Sequence, residues 1–393
     1  MTVNIVIFLT LFGSVMKHKA IYIYPMFMNF IVGVLMLAGP MRAEEQGANL
    51  TAISFMITNY GLGYIFFSFF MGKIVKDHKS KSQVLISSLA VGMTCILLGF
   101  VEQVYWVIVI YTLFPMWTSL FFNAFQSYMK HVQIANARPI AYSVSSYMTS
   151  LGIGFAFGSL VSGSIRQYFT WGNSFFVAGG LAFLVAVLVL FISPERTTAK
   201  VAAAPEVKRP PLKLAGWSGS FTGIIIISLF LTLFPKQSLQ LGFTSFEKGT
   251  VIFIYNIVQA IFVNYLARHY QWLYDWKKAP LNGILALVTL VLFWSAKNIL
   301  VMYVAAVVLG VFSVIYFFTA VLHSMSDIPN SVRNIAINEI SVGSGFLLGP
   351  QFINLTFGMG DYRFAYLAAG IWVVFVIVFQ FFYIRYRTLN YNG

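Results

Sequence analysis

Twelve stretches of about 20 mostly apolar residues follow one another along this chain, and a helix of that length is what crosses a bilayer. They run roughly over Ile21–Met41, Ala52–Gly72, Val84–Phe100, Tyr105–Tyr128, Ile140–Ile165 and Ser174–Ile192. The second six run over Trp217–Phe234, Lys248–Leu266, Leu281–Trp294, Ile299–Leu322, Val332–Phe357 and Phe364–Tyr383. Pro115 interrupts the fourth. Neighbouring helices re-satisfy the backbone groups that a membrane proline frees, so Tyr105–Tyr128 is read as one span rather than two. Only 9% of the 393 residues are charged and 59% are hydrophobic, against about 25% charged in soluble domains. A water-soluble core cannot hide that much apolar surface, so lipid must be the solvent.

The net charge of +14 raises the question of nucleic acid. The basic residues, however, sit in short loops between apolar runs, where membrane topology places them. Nineteen of the 25 Lys and Arg fall on the side that carries both termini, and six on the other. This bias puts both termini in the cytoplasm, requires an even number of spans, and fits a plasma or bacterial inner membrane. Cys95 is the single cysteine, so no internal disulfide forms. No Cys/His metal spacing is present, and neither a metal nor an organic cofactor is expected. There is no GxxxxGK[ST], HExxH or G-x-S-x-G, which leaves an ATP-driven pump or a motif-bearing hydrolase without support.

Ser193–Leu214 breaks the apolar pattern almost at mid-chain. It holds Pro194, Pro205, Pro210 and Pro211 and seven charges of mixed sign, a composition for a solvated, extended linker. The expected organisation is a non-spanning segment over 1–20, a six-helix unit over 21–192, a cytoplasmic linker over 193–216 and a second six-helix unit over 217–393. The first sixteen residues are too short to span and lack the basic start of a secretory signal. Two readings stand for them: an interfacial segment, or translation from Met16.

Shifting the chain by 195 residues aligns seven identities at matching places. Pro40 falls on Pro235, Gly47 on Gly242, and Arg138, Ile140 and Ala141 on Arg333, Ile335 and Ala336. Gly154 falls on Gly349 and Gly163 on Gly358. The offset joins spans of equal direction, so the repeat is parallel: six helices, then six more, with a solute path between them.

These residues reach a known family. The turn Gly39-Pro40 to Glu44-Glu45-Gln46-Gly47-Ala48 is similar to the exit from the first helix in the major facilitator superfamily. The loop from Gly72 to Lys81 is similar to that family's G-x-x-x-D-x-x-G-[RK]-[RK] signature. It departs from the signature in having Lys76 at the acidic position, Asp77 one place late and Lys79 for the second glycine. The chain after residue 20 therefore resembles this superfamily. The resemblance implies an all-α membrane protein with twelve transmembrane helices in two pseudo-symmetric six-helix bundles. It also implies a gating role for the Gly72 and Asp77 loop, and a cavity lined by helices 1, 2, 4, 5, 7, 8, 10 and 11. The fourth span lacks the buried arginine of many proton-coupled drug exporters in the family.

Small residues let membrane helices approach closely, and Gly154, Gly158, Gly345 and Gly349 with Pro350 are read as packing positions. Glu339 is the acidic residue expected inside a span, about 9 Å along the helix from Arg333 at 1.5 Å per residue. A charge at that depth is costly unless paired or wet, which makes it a functional candidate. The two readings are coupling or gating, with a proton carried between the membrane faces, and a structural ion pair with Arg333 or Lys130. Neutral polar residues also punctuate the apolar runs: Asn29, Asn59, Tyr60, Asn123, Gln126, Tyr147, Asn256, Gln259 and Asn338. The pairs Asn123/Gln126 and Asn256/Gln259 are three apart and share a helix face. As a set they are candidate ligands for a polar solute, although helix-to-helix hydrogen bonding is the commoner role for any single one. The histidines 131, 269 and 323 fall near cytoplasmic ends and are read mainly as solvated.

The expected function is secondary active transport of a small polar or zwitterionic organic solute by alternating access, coupled to protons. The partners expected are the solute, protons and the bilayer, with the chain acting as a monomer and without nucleic acid. Two alternatives remain at this level: a transporter-like sensor or assembly component without flux, and a membrane enzyme on lipid-linked material, which the scattered acids disfavour.

Overall fold

A computed structural model of the chain describes residues 21–74, 79–135, 140–191, 212–326, 330–356 and 358–390. All regular structure in it is helical, and the helices fall into twelve successive segments. These are α1 Ile23–Glu45, α2 Leu50–Ile74, α3 Ser80–Phe100, α4a Val104–Tyr111 with α4b Phe114–Ala135, α5 Ile140–Tyr168 and α6 Trp171–Leu190. The second six are α7 Lys213–Gln240, α8 Ser245–His269, α9 Ala279–Ser295, α10 Ile299–Ser326, α11a Ser331–Leu348 with α11b Gln351–Leu355, and α12 Phe364–Asn390. Ten segments are long and apolar enough to cross a membrane, α4a and α4b counting together, and α9 is a shorter apolar helix. The remaining segment, α11a, carries Arg333, Asn334, Asn338 and Glu339, and this polar load lowers its hydropathy.

Several boundaries differ from the sequence reading. The fourth span is two helices, because the chain leaves the helix at Thr112–Leu113 and Pro115 sits in the first turn of α4b. Proline suits that position, since its missing N–H has no intrahelical acceptor there. The eleventh span is likewise broken at Gly349–Pro350. Helix α7 begins at Lys213, so the last four residues assigned to the linker are its first turn. Linker residues 193–211, the segment 1–20, Lys76, Asp77 and Arg138 lie outside the described residues.

Part of the 195-residue repeat reappears as repeated geometry, whereas Gly163 lies within α5 and Gly358 takes positive φ, 97°, in a turn. Pro40 and Pro235 both sit inside the last turns of α1 and α7. Gly47 and Gly242 both have positive φ, 85° and 72°, a conformation glycine adopts without steric cost. The turns they close share a hydrogen-bond pattern: Gly47 N–H to Glu44 and Ala48 N–H to Ala43, against Gly242 to Leu239 and Phe243 to Ser238. The Arg42 guanidinium donates to the Leu98 carbonyl at 2.8 Å, and Gln237 Nε2 donates to the Phe293 carbonyl at 3.0 Å. Both residue pairs are 195 apart.

The packing pairs repeat as well. In the first half α1 packs on α5, α3 on α6 and α2 on α4b; in the second α7 packs on α11a, α9 on α12 and α8 on α10. Across the halves, α5 packs on α8 and α2 on α11a, while α1 meets α7. Large apolar side chains that are exposed, such as Phe66, Ile261, Ile371 and Phe375, form the outer surface, as expected of a body bathed in hydrocarbon.

Close approach depends on glycine. A Cβ on Gly154 would collide with the backbone of Met26, and one on Gly158 with the backbone of Phe30, so both let α5 rest directly on α1. Gly345 rests on Phe221 and Ile224, and Gly349 on Ile225 and Ser228, so α11 rests on α7 in the same manner. Pro350 begins the kink that follows.

Candidate functional site: a cavity between the two halves

Helices α1, α2, α4b and α5 of the first half and α7, α8, α10 and α11a of the second line a cavity of about 180 Å³. Each lining helix is held by a partner in its own half or across the halves, so the walls are built by the packing just described. The α5–α8 wall is closed along its length. Ser145 meets Asn264 at 3.2 Å near one end, Gly152 touches Asn256 and Ala260 in the middle, and Gly163 touches Ser245 and Gly249 near the other.

Seven of the sequence candidates line this cavity: Asn29, Tyr60, Tyr147, Asn256, Gln259, Asn338 and Glu339. Asn123 does not; its amide donates to the Ser119 carbonyl one turn back at 2.8 Å. Asn59 is half-buried and also outside the lining. Gln126 stands just behind the wall, bonded to a residue that does line it. The expected face-to-face pairs on the fourth and eighth helices are therefore reduced to the α8 pair, because Asn123 and Gln126 engage protein groups instead of the cavity.

Glu339 is the only buried acid among the described residues, 6% exposed. Its Oε2 accepts from the Tyr64 hydroxyl at 2.5 Å, and its Oε1 accepts from Gln126 Nε2 at 2.8 Å. Glu339 belongs to α11a and both donors to the first half, so this carboxyl ties the halves together at the cavity wall. Arg333 is exposed two turns away, and the side chain of Lys130 lies outside the described residues. The donors on Glu339 are thus uncharged, in place of the expected ion-pair partners. Two hydrogen bonds to a carboxyl in low dielectric hold its position more strongly than the same bonds would in water.

Sequence reasoning missed Tyr64. It lies four residues after Tyr60, which puts both on one helix face, and the two rings stack at 6.0 Å. That spacing was the available signal. Tyr60 in turn meets Phe346 of α11a edge-on at 4.9 Å, adding an apolar contact across the halves one turn from the carboxyl bridge. His323 is corrected too: it is 2% exposed and packs edge-on against Tyr274 at 5.4 Å, so it is not a solvated loop residue. His269 is exposed as expected. Gly72 lies in the last turn of α2, and Asp77 lies outside the described residues.

The cavity's chemistry is uneven. Its walls are largely aromatic and aliphatic, including Phe122, Phe155, Tyr255, Phe317 and Phe346, and its single charged group is Glu339. No group of His, Cys, Asp or Glu that could hold a metal occurs among the described residues.

A family model of the Major Facilitator Superfamily matches residues 21–335. The chain belongs to the major facilitator superfamily. It is a multi-pass membrane protein of a transporter family, and the matched region takes in every helix from α1 to α10 and the start of α11a. Glu339 lies four residues beyond it. A search of curated proteins found no matching relative.

Proposed function

We propose that this superfamily member is a secondary active transporter in which two six-helix bundles rock about the central cavity, exposing it to each face in turn. The solute is a small polar organic molecule, zwitterions included at the resolution of the sequence, and protons drive its movement through Glu339. Both termini and the linker lie in the cytoplasm by the distribution of Lys and Arg. The observation that carries the reading is the carboxyl bridge: a buried acid of one half, held by two first-half donors, in a cavity lined by both halves. A group placed there links solute, proton and inter-half contact, because any change in its charge alters the bonds that join the halves. The repeated contacts of α5 with α8 and α2 with α11a support a pivot between equivalent units.

Side-specific labelling tests this reading without knowledge of the solute. The lone Cys95 is fully buried, so a Cys95→Ser background is readily made. A reporter placed by Ile227→Cys, on the cavity wall, is expected to react with an impermeant maleimide from both membrane faces. Adding Ser145→Cys and Asn264→Cys and oxidising the pair is expected to restrict labelling to one face, with reductant restoring the other. Labelling from one face alone in the unlocked protein rules alternating access out.

A further inference from the structure

The groups that three of the cavity's amides meet fix which way each amide points. Asn29 Nδ2 donates to the Leu151 carbonyl at 2.7 Å and Asn256 Nδ2 to the Ile252 carbonyl at 2.9 Å. A backbone carbonyl only accepts, so these contacts fix which end of each amide is the nitrogen. Gln259 Nε2 meets Ser313 Oγ at 2.6 Å, and the Ser313 hydroxyl has already given its one hydrogen to the Leu309 carbonyl at 2.5 Å. Ser313 must therefore accept, and Gln259 is fixed in the same way. Three amides, one on α1 and two on α8, thus turn their nitrogens onto the protein. Beside Glu339, Asn338 is 4% exposed, and its Oδ1 has no hydrogen-bond partner among the described residues.

The charge inventory points the same way. Glu339 is the one ionisable acid on the wall, and none of the lining residues is Lys, Arg or His. A carboxylate or phosphate on the solute would meet no cation and would face the Glu339 carboxyl, a repulsion worth far more in this low dielectric than in water. An ammonium group meets complementary charge in Glu339 and an unpaired acceptor in Asn338, on a wall that also holds the aromatic rings of Tyr60, Tyr64 and Tyr147. The remaining wall is apolar and suits a compact hydrocarbon or aromatic body.

From this we infer that the solute is a small organic monoamine bound as its ammonium ion, without a carboxylate, held by Glu339 and Asn338. The inference rests on the reading of the cavity as the solute site and narrows its polar or zwitterionic class to cations. Ammonium and proton then contend for the same carboxyl oxygens: the amine binds as the proton leaves to solvent, and returns it on release.

The test uses the purified full chain and four probes of one shape: phenethylamine, phenylalanine, 2-phenylethanol and 3-phenylpropionate. Titration calorimetry and thermal shift are expected to show phenethylamine binding about 100-fold more tightly than either carboxylate-bearing probe, the scale of a buried charge mispairing. It is also expected to bind at least about tenfold more tightly than the alcohol, and more weakly as pH falls, with a proton released in lightly buffered solution. Glu339→Gln is expected to abolish both the preference and the pH dependence. The wild-type comparison stands even if that variant does not fold. Phenylalanine or the acid binding as well as the amine, an amine no tighter than its alcohol, or pH-independent amine binding each overturns the inference. Amine binding without movement across proteoliposomes would instead refute the transport reading and leave this one intact.

Discussion

Replacing Glu339 with glutamine is expected to remove the response of solute flux to an imposed pH gradient. In proteoliposomes, phenethylamine-driven proton movement followed with a trapped pH dye should fall about 100-fold, the loss expected when one partner of a buried charged pair is taken away. Glutamine keeps the size of the side chain and is able to accept from Tyr64, but it carries neither charge nor an exchangeable acid proton. Glu339→Asp restores the acid on a stem one methylene shorter, so gradient dependence should return at reduced rate. Tyr64→Phe should have a smaller effect, about 5-fold, because single inter-helix hydrogen bonds in membranes contribute about 0.6–1.7 kcal/mol. A purely structural Glu339 would behave otherwise. Its glutamine variant would lose thermal stability while any remaining flux still followed the gradient, and that outcome would sink the coupling role.

The second large effect is on folding. Gly158→Val should leave little folded protein in the membrane. The added carbon falls on the Phe30 backbone, and backbone cannot swing aside as a flexible side chain does. Overpacking a tight core costs about 1–3 kcal/mol even where side chains yield, and here α5 must leave α1 altogether. Gly154→Val should behave alike through Met26, and Gly349→Val through Ser228 and Ile225. Gly180→Ala is the control. Gly180 is exposed and a Cβ there meets nothing within 4 Å, so the variant should fold with unchanged or slightly raised stability. Fluorescence size-exclusion of tagged variants reads the difference directly. A monodisperse Gly158→Val peak at wild-type yield would show that α1 and α5 tolerate separation.

Much of the architecture was legible because lipid imposes one rule on every span: backbone polar groups must be satisfied within the helix. Apolar length therefore reads out helix number, and twelve segments appear in order. The matching turns were legible because a special backbone demand selects the residue type: glycine at the positive-φ positions 47 and 242, with Pro40 and Pro235 at the same distance before them. The breaks at Thr112 and Gly349 were not readable from apolar length, since a kinked span and a straight one have the same composition. The Glu339 site was half legible. An acid within an apolar run marks itself, but its donors, Tyr64 and Gln126, are 275 and 213 residues away. No local pattern encodes a contact across that separation.

The chain's own order of residues thus decided that it lives in a membrane and how many helical segments it forms there. Those properties follow from solvation and chain stiffness, which act residue by residue. Which polar groups converge on Glu339, and which way each amide points, was decided only by the tertiary structure. The physical reason is that a hydrogen bond's direction depends on what stands opposite. The Leu151 carbonyl fixes Asn29, and the Ser313 hydroxyl fixes Gln259, only once α5 faces α1 and α10 faces α8.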